Sequence, residues 1–157
     1  MKFSQIAFLS LGFFLFANCQ YDKPYPSSLN GIPANTYYSS DIFKDKQPEI
    51  YGTWEVVGTS GGFGGQGYAQ DFDYLVIKPN AIFGIIRDSQ LLTTGKMEIV
   101  EDPSQALLVR FISEADPTSL GVEILSDSEK FIQIDSDNLT LNAPCCDRFN
   151  THFKRVE

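Results

Sequence analysis

The sequence predicts an all-β domain: a small antiparallel up-and-down β-barrel of eight or nine strands, standing after a signal peptide and a flexible tether. Two observations carry this. From Glu49 onward, short apolar runs alternate with turn residues at intervals of roughly 8–12 positions, the spacing of a sandwich or barrel rather than of helices. These runs make eight or nine antiparallel strands in about 109 residues, with no convincing helix among them. Closure into a barrel removes the unpaired strand edges that an open sheet of this size would have to protect. A two-sheet sandwich is the rival arrangement.

The chain begins with one charge, Lys2, and an apolar run from Phe3 to Ala17. A spanning helix needs about 20 apolar residues, so this run has the length of a secretory signal core. An uncleaved membrane anchor is the alternative. Cys19 follows at once, in Phe16-Ala17-Asn18-Cys19. This arrangement resembles the precursors of bacterial lipoproteins, whose signal ends in a lipobox with an invariant cysteine. The match lies in Cys19 and small Ala17; Phe16 and Asn18 depart from the family's preferences. The resemblance implies cleavage after residue 18, a thioether from Cys19 to diacylglycerol and an acylated amine. Two or more chains such as palmitate anchor stably where one would be marginal. The expected location is the cell envelope, on a membrane of a Gram-negative bacterium, with the outer membrane first. A plain secreted protein is the rival.

Loss of residues 1–18 removes Lys2 and takes the formal charge from −8 to −9. So acidic a chain repels nucleic acid and anionic head groups, which argues against nucleic-acid binding. Residues 19–48 are polar and rich in Pro, Ser, Asn and Tyr, and read as a lipidated N-terminus and an extended tether spanning several tens of ångströms. Ile42-Phe43 offers two apolar side chains that could dock on the domain. Tyr37-Tyr38 reads as linker, with a recognition segment as the functional alternative.

Residues 49–157 form the expected domain. The first strand is Gly52 to Thr59. Phe72–Lys78 and Ile82–Arg87 pair around a Pro79-Asn80-Ala81 turn. Leu91–Glu101 is weaker, interrupted by Gly95, and Asp102-Pro103-Ser104 turns the chain. Ala106–Ser113 is a strong strand and Ala115–Thr118 a turn. Leu120–Leu125 and Lys130–Asp135 are expected to make the next hairpin. Leu139–Leu141 and Phe149–Val156 complete the set.

Gly52-Thr53-Trp54 matches the Gly-x-Trp element that opens the first strand of lipocalins. Together with the ending Leu139–Asn142, Cys145-Cys146-Asp147 and Phe149–Val156, it makes residues 49–157 resemble the compact lipocalin-like domains of bacterial lipoproteins. The resemblance implies that Trp54 closes the barrel floor and that an arginine near the last strand packs across it. Strand alternation gives that arginine an identity. Phe149, Thr151, Phe153 and Arg155 share one face, and the two phenylalanines mark it as inward. In an antiparallel closure the end of the last strand lies beside the start of the first, so Arg155 and Trp54 would meet.

The glycine-rich run Thr59–Tyr68 has no Gly-Lys-Ser/Thr end, which argues against a phosphate loop. It would join the first two strands across the barrel mouth, where Phe63 and Tyr68 could cover a ligand or simply pack on the rim. His152 falls on the outward face and has no second histidine or placed nucleophile to complete a triad. Asp71 and Asp73 read as the rim of a strand, with a carboxylate pair as the functional alternative. Asp135-Ser136-Asp137-Asn138 lacks the glycine and terminal glutamate of a calcium loop and reads as a hairpin turn. Cys145-Cys146 after Pro144 reads as a structural turn, reduced, vicinally bonded or bridged to another chain, with a redox pair as the functional alternative. No zinc ligand set and no cofactor motif is expected. The expected function is non-enzymatic: binding of a small apolar ligand at the mouth, with a protein-interaction or envelope-assembly module around a packed barrel as the alternative.

Overall fold

The computed structural model describes Phe43 and residues 47–63, 65, 67–79, 81–100, 106–126, 129–145 and 148–156. The signal, Cys19, Tyr37-Tyr38, Ile42, the Asp102–Ser104 turn and Cys146 lie outside the described residues.

Eight strands close into one antiparallel barrel in sequence order, with β8 pairing back onto β1. They are β1 (Gly52–Gly61), β2 (Tyr74–Ile77), β3 (Ile82–Arg87), β4 (Gln90–Val100), β5 (Leu108–Ser113), β6 (Glu129–Asp135), β7 (Asn138–Asn142) and β8 (Phe149–Val156). The up-and-down closure is the expected architecture. The β1–β8 seam is long, running from Thr53↔Val156 to Gly61↔Phe149, with one irregularity between Val56 and Gly58 that leaves Val57 exposed.

Alternation along the strands sends one set of side chains inward. Trp54, Leu75, Phe83, Ile85, Val109 and Leu139 are all 0 % exposed. Aromatic edges interlock within this set: Phe83 meets Phe111 with centroids 5.1 Å apart, and Phe72 meets Phe153 at 6.1 Å. Each fully buried side chain of this size contributes about 1.5–3 kcal/mol, which is why the pattern fixes the register. Phe43 docks on the domain, fully buried and edge-on to Tyr51 at 6.0 Å, with its N–H donating to the Tyr51 hydroxyl.

One sequence expectation fails. Leu120–Leu125 is not a strand and makes no hairpin with Lys130–Asp135. The chain between β5 and β6 instead forms two single-turn helices, α1 (Pro117–Leu120) and α2 (Glu123–Ser126). Asp116 caps α1 by accepting from the Thr118 N–H at 3.0 Å, and Pro117 supplies a preset helical φ with no N–H to satisfy. Gly121 ends α1 at φ +60°, a left-handed conformation that glycine adopts without a Cβ penalty. The apolar residues that suggested a strand, Val122, Ile124 and Leu125, are buried in the same interior cluster as the strand residues.

Candidate functional site

The two ends of the barrel are built differently. β1 starts at one end, the floor, and every odd strand runs away from it. Arg155 and Trp54 are direct cross-strand partners there. The guanidinium carbon lies 4.2 Å from the centroid of the Trp54 ring, the pair that strand alternation brought together. Its Nη1 donates to the Tyr51 carbonyl at 2.8 Å, its Nη2 donates to the Glu49 carbonyl, and its Nε stands 3.8 Å from the exposed Asp137 carboxylate. The indole Nε1–H donates to the Ile50 carbonyl at 2.7 Å. Arg155 and Trp54 therefore bind the 3-10 turn Pro48–Ile50 onto the floor. Gly52, at φ +141°, leaves the guanidinium its space; a Cβ there would sit 2.7 Å from Nη1. Both terminal nitrogens of this arginine donate to the chain's own backbone, which is a structural arrangement.

The opposite end carries the features with binding chemistry. The α1–α2 segment crosses it and inserts Val122, Ile124 and Leu125 into the interior. Two side chains hold the segment down. Asp71 Oδ2 accepts the Glu123 N–H at 2.8 Å. Arg87 donates through Nη2 to the Leu120 and Gly121 carbonyls at 3.3 and 3.4 Å, and through Nε to the Asp71 carbonyl at 2.5 Å. Asp73 Oδ2 accepts the Asp88 N–H at 2.7 Å. These groups, with Gln70, Phe72 and Gly121, line an open pocket of about 590 Å³. Asp71 Oδ1 is buried with no hydrogen-bond partner. Burial raises the Asp71 carboxyl above its usual range, against the lowering effects of the Glu123 N–H and of Arg87.

The aromatics of the glycine-rich loop take different places. Phe63 is fully exposed. Tyr68 is half-buried, edge-on to Phe149 with centroids 5.0 Å apart, its hydroxyl 3.4 Å from Thr151 Oγ1. Burial pushes its phenol up to about 12. Residue spacing could not separate the two; the Tyr68 contact depends on the β8 register. His152 Nε2 lies 2.8 Å from Ser60 Oγ and its Nδ1 3.3 Å from Thr140 Oγ1. A hydroxyl stands where a triad would place a carboxylate, so these contacts tie β1, β8 and β7 together across the outer surface. Asp135–Asn138 is the β6–β7 turn, with Ser136 at φ +54°. Cys145 is exposed. Among the described residues no group of three or more His, Cys, Asp or Glu side chains could hold a metal, and no helix is long and apolar enough to cross a membrane.

Sequence reasoning missed Arg87 and the cap it holds. The signal was present in Asp116-Pro117 followed by Gly121, a helix start and stop only one turn apart.

No protein-family model matches the sequence, and no curated protein matches it. Among solved structures the fold is similar to the crystal structure of a DUF4847 family protein from Bacteroides vulgatus ATCC 8482. The two are 17 % identical with a TM-score of 0.50 over 69 % of this chain and 96 % of the other, a likeness of fold alone.

Proposed function

We propose that this chain is a lipid-anchored, non-enzymatic envelope protein whose barrel is a packed interaction module, working through the end opposite the floor. The observation that carries the reading is the apolar cluster packed inside the barrel. Phe83, Phe111, Phe153 and Trp54 occupy the barrel, and Val122, Ile124 and Leu125 occupy the mouth where a carried ligand would enter. Ligand carriers keep an apolar cavity of roughly 300 Å³ or more, and the pocket at this end is instead open and lined by Asp71, Asp73, Arg87 and Asp88. Exposed Phe63 supplies an apolar contact on the same end. The anchor rests on Cys19 directly after the apolar run.

A second reading, carriage of a small apolar molecule beneath the α1–α2 cap, is favoured by one feature. The cap is two single turns joined at left-handed Gly121, and its displacement would open the barrel. Native mass spectrometry of the protein extracted from membranes in mild detergent separates the two. The expected spectrum shows the chain with its acyl chains and no further molecule. A stoichiometric apolar ligand retained through purification would overturn the packed-module reading in favour of carriage. Cys19→Ala is expected to move the protein from the membrane to the soluble fraction, and continued membrane partition would refute the anchor.

A further inference from the structure

The α1–α2 cap is tied to the barrel at two points, one on either side of a single glycine. On the α1 side, Arg87 Nη2 donates to the Leu120 and Gly121 carbonyls while its Nε donates to the Asp71 carbonyl. On the α2 side, Asp71 Oδ2 accepts the Glu123 N–H at 2.8 Å. Asp71 thus holds the cap twice, through its backbone by way of Arg87 and through its own side chain. Gly121, between the two points, is left-handed at φ +60°, and a Cβ built on it would meet nothing within 4 Å. Each helix of the cap is a single turn of four residues, and helices so short owe their stability to packing. That packing is supplied by Val122, Ile124 and Leu125, which are 1–3 % exposed within the interior cluster. One carboxylate therefore joins a short apolar lid to a closed barrel.

We propose that Pro117–Ser126 is a pH-gated lid over the barrel mouth, latched by Asp71 and Arg87, which stays shut while Asp71 is protonated and opens more readily once Asp71 is ionised. The proposal rests on the reading that this end of the barrel is the working one, and it adds the regulation of that end. Its physical basis is the other carboxylate oxygen. Asp71 Oδ1 is buried, and among the described residues no donor reaches it. A neutral carboxyl tolerates that burial and still accepts the Glu123 N–H. An anion there lacks solvation, and lifting the lid admits the water that restores it. Desolvation is the largest influence on Asp71 and disfavours the anion; the Glu123 N–H and the charge of Arg87 on β3 favour it, and the Glu123 carboxylate on α2 opposes it. Tyr68, from the β1–β2 connection, stays neutral throughout, since burial pushes its phenol up to about 12. Asp73 and Asp88 line the same pocket. Asp116 accepts from Thr118 within the lid itself. The latch is at full strength below the ordinary carboxyl range and weakens as pH rises through the raised value of the closed state. Lifting the lid withdraws Val122, Ile124 and Leu125, so ionisation is coupled to baring the apolar mouth.

Hydrogen exchange of single amides tests this, followed by NMR on the full chain in detergent micelles and corrected for each amide's intrinsic rate at each pH. The Glu123 and Leu125 amides, which donate to Asp71 and to the Val122 carbonyl, report the lid. The amides of the β1–β8 seam report the barrel. Expected is a loss of lid protection of at least ~3-fold between about pH 4 and 7 with the seam unchanged, since each unit between closed and open carboxyl values multiplies opening about tenfold. Asp71→Asn should abolish the pH response, and Asp73→Asn should keep it. If Asp71→Asn leaves the lid amides unprotected even at acid pH, the wild-type Asp71 carboxyl resonance decides, because it must titrate over the same interval in which the lid loosens. A flat lid profile overturns the proposal, as does a seam that loosens in step with the lid, a response that survives in a protected Asp71→Asn lid, or an Asp71 resonance that titrates elsewhere. None of these outcomes touches the packed-module reading, which the native mass spectrum decides by itself.

Discussion

Arg155→Ala tests the floor most directly. The substitution removes three kinds of contact. The guanidinium over Trp54, 4.2 Å from the centroid, is worth about 0.5–2 kcal/mol. Two charge-assisted bonds to the Tyr51 and Glu49 carbonyls are worth about 1.5–3 kcal/mol each in favourable settings. The pairing with Asp137, 74 % exposed at 3.8 Å, adds about 0–1 kcal/mol. The arginine side chain is itself 27 % exposed, so water replaces part of what is lost and the lower ends apply. The expected cost is about 3 kcal/mol, which for a domain near 100 residues lowers Tm by roughly 10–20 °C. Urea unfolding followed by Trp54, the only tryptophan in the chain, reads the loss as a shift in midpoint at constant slope. Arg155→Lys keeps the charge but not the two-pronged reach to both carbonyls, and should recover less than half. Asp137→Asn should cost under about 0.5 kcal/mol. A cost below about 1 kcal/mol for Arg155→Ala would show that the floor is held by packing alone and would refute the reasoning.

Leu125→Ala, which truncates a 3 % exposed cap residue, should cost about 2–5 kcal/mol in the same unfolding assay, and a loss below about 1 kcal/mol would mean that the cap unfolds separately from the barrel. Asp71 carries a pH signature. Its folded pKa is raised, so the stability it contributes is fully present below the ordinary carboxyl value and is lost as pH rises through the folded value. Asp71→Asn keeps an acceptor for the Glu123 N–H and removes that loss. The variant should therefore gain on the wild type between acid and neutral pH, and parallel pH–stability curves would refute it.

The closed barrel was legible in the sequence because its cause is local and repeated. Apolar residues at period two, broken by turns, have few ways to bury themselves. The Trp54–Arg155 pair was legible because β8 alternation and antiparallel closure together leave its partner little choice. The cap was not legible by the same logic. Val122, Ile124 and Leu125 look like strand residues because burial selects for the same side chains in both settings. What separates them is punctuation, Asp116-Pro117 and Gly121, acting over one turn, too short for any helical period to show. The pocket was less legible still. Asp71 and Asp73 precede β2, Arg87 and Asp88 end β3, and Gly121 lies in the cap; only the three-dimensional closure brings them to one end.

The contrast between the ends bears on where partners would act. At the floor, the Trp54 indole and both terminal nitrogens of Arg155 donate to backbone carbonyls of the chain itself. At the other end, the cap is two single turns whose hold includes a carboxylate raised by desolvation, with one buried oxygen unpartnered. A buried acceptor left unsatisfied costs about 1–3 kcal/mol, and that cost is recovered by whatever supplies a donor or lets in water. Elements that move on binding are drawn from the less stable parts of a fold. The cap end therefore presents polar groups in an open pocket, while the floor's Trp54–Arg155 pair is engaged by the chain itself. Phe43 and Tyr51 pack at the floor while the cap closes the far end, so the proposed anchor and the proposed contact surface would lie at opposite ends of the barrel.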